Sequence, residues 1–82
     1  MDLYLVTLEG RTSEARFSNN IRALAETITA ESPTKLFRKI ELYMLSLKGF
    51  REVKVIKVDQ VNPATGKRMA NVPLVETISI LF

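Results

Sequence analysis

With 82 residues, the chain can bury one hydrophobic core and has no material for a second. Its 46% hydrophobic and 26% charged content excludes a disordered chain. The net charge of +3, from twelve bases and nine acids with no more than two basic residues in succession, describes a mixed surface and not a committed basic face.

The opening stretch MDLYLVTLEG lacks the basic region and small-residue cleavage site of a secretory signal. No apolar run approaches the roughly 18 residues of a membrane span. The chain is therefore expected to be cytoplasmic, with no membrane partner. Its residues 2–9 alternate around β-branched and aromatic side chains and stop at Gly10, which predicts a strand. Both faces of that strand are apolar, Leu3 and Leu5 on one and Tyr4, Val6 and Leu8 on the other, as in a strand lying centrally in a sheet. Residues 10–20 are polar and contain turn formers, and they read as a loop or an irregular strand entry.

Residues 21–32 support two readings. Ile21, Leu24, Ala25 and Ile28 carry helical spacing, which would give a helix over 19–28. The β-branched run ETITA leads straight into Ser32-Pro33, and this favours a strand over 23–30. Ser at the N-cap followed by Pro at the first helical position then starts a helix over 33–48, with Gly49 placed to end it. Leu36, Phe37, Ile40, Tyr43, Met44 and Leu47 form its core stripe. Leu42 and Leu45 fall outside the stripe. Leu45 has a local role available, closing against Phe50 in a Schellman ending, whereas Leu42 has none.

Residues 51–61 form the next expected strand. Its apolar phase changes between Val55 and Ile56, a pattern that a β-bulge or burial on both faces explains. A turn or loop over 62–71, with Pro63 and Gly66 in turn positions, leads to a last strand over 72–82. The order β-β-α-β-β predicts a two-layer α+β domain: a mainly antiparallel four-stranded sheet with one helix on one face. RNA-recognition modules do not fit, because they need a second helix and stacked strand aromatics.

The available chemistry is narrow. No histidine and no cysteine are present, which removes the commonest general base, the usual partner of a nucleophilic serine and the preferred zinc ligands. The nine acids show no metal-ligand spacing, and the three glycines form no phosphate-cradling loop. No enzyme activity and no cofactor are expected.

What remains is a small non-enzymatic module that binds another protein by occupying a surface on it, a regulator or inhibitor of the kind phages and mobile elements encode. Candidate contacts are Leu42, Arg38, Phe17, Tyr4, Val6 and Leu8. A homodimer is expected, because one helix covers one sheet face and the second apolar face of the sheet needs a partner. A helix over 19–28 would supply that cover within one chain. The alternatives are an accessory protein that binds nucleic acid through Lys67, Arg68, Lys54, Lys57 and Lys39, together with Arg38, and a structural assembly subunit.

Overall fold

The computed structural model describes residues 1–12, 21–74 and 76–82. It contains β1 (Asp2–Thr12), β2 (Ile21–Ala30), α1 (Pro33–Ser46), β3 (Phe50–Val61), β4 (Arg68–Val72) and β5 (Ser79–Leu81). The architecture is α+β: an antiparallel sheet in the order β2-β1-β3-β4, with β5 also paired to β3 and a single helix on one face. The β2–α1–β3 crossover brings β3 parallel to β2 with β1 inserted between them. This central position explains why β1 is apolar on both faces.

The segment 21–30 is a strand, paired with β1 along its whole length without a register shift, from Asp2 opposite Ala30 to Arg11 opposite Ile21. The helix begins as its sequence dictates. Ser32 has extended backbone and its Oγ accepts from the Lys35 N–H at 3.4 Å, while Pro33 occupies the first turn. Leu36, Ile40 and Met44 are buried against the sheet, and Phe37, Tyr43 and Leu47 flank them half-buried, so all six residues of the stripe face the core.

The helix end differs from expectation. It stops at Ser46 with Leu47 as the cap, and Gly49, at φ 85°, lies two residues beyond that cap. Leu45 consequently stays exposed instead of closing against Phe50. The Phe50 ring packs over Gly10, leaving no room there for a side-chain carbon.

The phase change in β3 is a bulge. Thr7 pairs with Lys57 and Leu8 with Val55, so Ile56 is the extra residue. Because of it, Val53, Val55 and Val58 all reach the core, while Ile56 is exposed. The C-terminal part is not one strand. Residues 62–67 make the β3–β4 turn, in which Gly66, at φ 73°, donates to the Asn62 carbonyl at 2.7 Å, and β4 already starts at Arg68. Pro73 has no N–H to continue the ladder, and the chain leaves the sheet there. It rejoins through the Val55 N–H donating to the Ile78 carbonyl at 2.9 Å, and then as β5 opposite Glu52–Lys54. The break in the outer strand thus sits beside the bulge in β3. At the end of the chain the Phe82 N–H donates to the Arg51 carbonyl at 3.0 Å. Among the described residues, no helix is long and apolar enough to cross a membrane.

Candidate binding groove

One helix cannot span five strands, and α1 is set toward one side. Its nearest strand is β2. On that flank Lys39 Nζ donates to the Thr29 carbonyl at 2.6 Å, and Tyr43 lies beside Glu26. Burial, followed by the Glu26 carboxylate, raises the Tyr43 phenol above its ordinary value.

The opposite flank is open. Phe37, Glu41 and Leu45 recur every four residues and so stand above one another on one side of the helix. Across from them the rejoining segment presents Leu74, Ile78 and Ile80, each half-buried. Two adjoining depressions lie between these walls. One, of about 240 Å³, is lined by Phe37, Glu41, Leu74, Glu76 and Ile78. The other, of about 380 Å³, runs from Glu41 and Leu45 to Ile80. Together they form a groove with an apolar floor, between the helix and the broken outer strand.

The charge of the groove runs against that of the chain. Among the described residues its ionisable lining groups are Glu41 and Glu76, and none is a Lys or Arg. Among the described residues neither carboxylate is in an ion pair. A chain of net charge +3 therefore offers here an apolar trough with two carboxylates at its rim. The sequence carried one sign of this, since Glu76 shares the parity of Leu74 and Ile78 in an otherwise apolar segment.

The residues expected to contact a partner are dispersed. Tyr4, Val6 and Leu8 are buried beneath α1 and are core side chains, not contact residues. With both faces of β1 apolar, the helix covers the face that carries Tyr4, Val6 and Leu8. The helix-free face of β1 instead presents Leu3, Leu5 and Thr7, all half-buried, followed by Glu9 and Arg11. Leu42 is 60% exposed on the outer side of the helix, one turn from the exposed Arg38 and from Leu45, which is 59% exposed at the groove rim. Phe17 lies outside the described residues.

The basic residues divide into two sets. Lys54, Lys57 and Arg68 share the helix-free face of β3 and β4, with Lys67 at the edge of the turn, whereas Arg38 and Lys39 belong to the helix layer. Acids interrupt the first set. Glu9 stands opposite Lys54, and Glu52 stands opposite Arg11. Asp59, only 2% exposed, lies 3.9 Å from Lys57 Nζ and 4.0 Å from Arg68 Nη1, and it accepts from Asn71 Nδ2 at 3.2 Å. Asp59 is thus a buried carboxylate satisfied within the sheet. Among the described residues no group of three or more acidic side chains is placed to hold a metal.

The chain matches no known protein family, no curated protein and no solved structure.

Proposed function

We propose that this protein is a non-enzymatic binding module that receives a segment of another protein in the α1–β5 groove, and that the segment is apolar with a flanking Lys or Arg. The observation that carries this reading is the groove itself: half-buried Leu74, Ile78 and Ile80 beneath Phe37 and Leu45, with the carboxylates of Glu41 and Glu76 as the only charged lining among the described residues. Apolar side chains of a bound segment would complete the burial of the floor, and its cation would meet Glu41 and Glu76. Such a module works by occupying part of its partner, as a small regulator or inhibitor does.

A short amphipathic peptide of leucines and lysines tests this, alongside a twin in which glutamates replace the lysines. The lysine peptide is expected to move the amide resonances of Phe37, Glu41, Leu45, Ile78 and Ile80, and the glutamate twin to leave them in place. Equal response to both peptides, or shifts confined to other surfaces, would overturn the reading.

A nucleic-acid reading draws support from Lys54, Lys57 and Arg68 sharing one face. Glu9 and Asp59 among them leave little uninterrupted positive surface. An oligonucleotide complex on this face should weaken steeply between about 50 and 200 mM salt, and a complex formed tightly at physiological salt would move this reading ahead of the groove.

A further inference from the structure

The sheet has two edges of very different character. On the β4–β5 side the edge is broken between β4 and β5, where Pro73 leaves the sheet, and the β3–β4 ladder carries a register shift between Gln60 and Val61. These are the devices that keep an edge from pairing with another chain. The β2 edge has none of them. From Ile21 to Ala30 it is continuous and unbulged, with no proline and no lysine. Among the described residues, the only side chain that reaches its backbone is Lys39, on the Thr29 carbonyl. Among the described residues, no side chain bonds to the backbone from Ile21 to Thr27.

We infer that this edge pairs with the same edge of a second copy, antiparallel about a twofold axis at Leu24. In a twofold interface each residue meets the mirror position of the other copy. With Leu24 on the axis, Arg22 stands opposite the partner's Glu26 and Glu26 opposite the partner's Arg22, which gives two reciprocal pairs of opposite charge. Leu24 meets Leu24 between them. Ala23 faces Ala25 and Ile21 faces Thr27, side chains small enough or apolar enough to pack on the helix-free side. Moving the register by two residues destroys this match: it sets Arg22 opposite either Leu24 or Ile28, so that Arg22 and Glu26 no longer face each other. The charge-matched register also ends at Thr27, before the carbonyl that Lys39 occupies. The partner is a second copy because the only charges on this strand, Arg22 and Glu26, complement each other in that arrangement. The pairing leaves the α1–β5 groove on each copy open, so the two surfaces are independent.

The test uses the full chain and charge reversal. Light scattering over a tenfold concentration range is expected to show a mass rising from monomer to dimer. Arg22→Glu alone and Glu26→Arg alone each place like charges opposite one another and should weaken association at least tenfold. The combined Arg22→Glu/Glu26→Arg chain restores opposite pairs and should return the dimer. Glu26 lies beside Tyr43, so a fold defect in that variant is checked independently on the unmodified chain. For that check, backbone amides of Ile21–Thr27 should exchange with solvent more slowly as protein concentration rises. A monomeric mass throughout, a dimer indifferent to both single reversals, a double reversal that fails to restore association, or edge amides insensitive to concentration would each overturn the proposal.

Discussion

Gly10 and Phe50 fit together as a bare backbone and an aromatic ring: Phe50, entering β3, covers Gly10 of β1 so closely that a Cβ there would run into the ring. The glycine is required by this approach and not by its backbone angles, which are not left-handed. Gly10→Ala should destabilise the protein by about 1–3 kcal/mol, the usual cost of overpacking. In a Phe50→Leu background the same change should cost clearly less. Urea midpoints for the four chains of that cycle check it, and simple additivity would remove the ring as the cause.

Ser32→Ala should cost about 1 kcal/mol, because the hydroxyl satisfies the Lys35 N–H at the start of α1. Ser32→Asp should retain most of that stability. Thermal or urea unfolding of the two variants distinguishes a cap from a merely tolerated serine.

The β3 bulge predicts opposite outcomes at neighbouring positions. Ile56→Ala, at an exposed bulge residue, should change stability by no more than about 0.5 kcal/mol. Val58→Ala, at a buried residue, should cost about 2 kcal/mol from lost burial and the space left behind. Equal costs at the two sites would place the bulge elsewhere.

Tyr43 gives the protein an alkaline limb. Burial and the neighbouring Glu26 raise its folded-state value above the ordinary phenol value of about 10. The folded protein thus holds the phenolic proton more tightly than the unfolded chain does. That contribution is complete below about pH 10 and is lost as pH rises through the folded value. Tyr43→Phe should flatten the decline in urea midpoint above about pH 10. A decline identical to that of the unaltered chain would rule Tyr43 out as its source.

Local rules made much of this fold legible. The helix start rests on Ser32-Pro33, the core stripe on spacing within one helix, and the bulge on a change of phase within one strand. What was not legible depends on choices made between elements. Period-two alternation makes both faces of β1 apolar, so it cannot say that α1 covers Tyr4, Val6 and Leu8 and leaves Leu3 and Leu5. Pro73 stood inside what alternation read as a single last strand, and its effect follows from β4 already being paired to β3. The groove was hidden for a related reason. Glu41 looks like an ordinary solvent position on a helix, and it gains a role only because α1 sits toward β2, an offset that the helix sequence alone does not encode.

The insertion of β1 between β2 and β3 also bears on how the chain emerges from the ribosome. The β1–β2 ladder joins segments that are near neighbours in sequence, whereas the β1–β3 ladder joins Leu3 to Val61 and closes only after α1 and β3 have been made. Local pairings form faster than distant ones. Until α1 and β3 have been made, a nascent chain can therefore form at most the β1–β2 hairpin, with both of its edges unpaired and no helix above Tyr4, Val6 and Leu8. This is the period of greatest exposure to misassociation with other growing chains, and it ends when β3 seals the inner edge of β1, leaving β2 as the uninterrupted edge that the finished protein keeps.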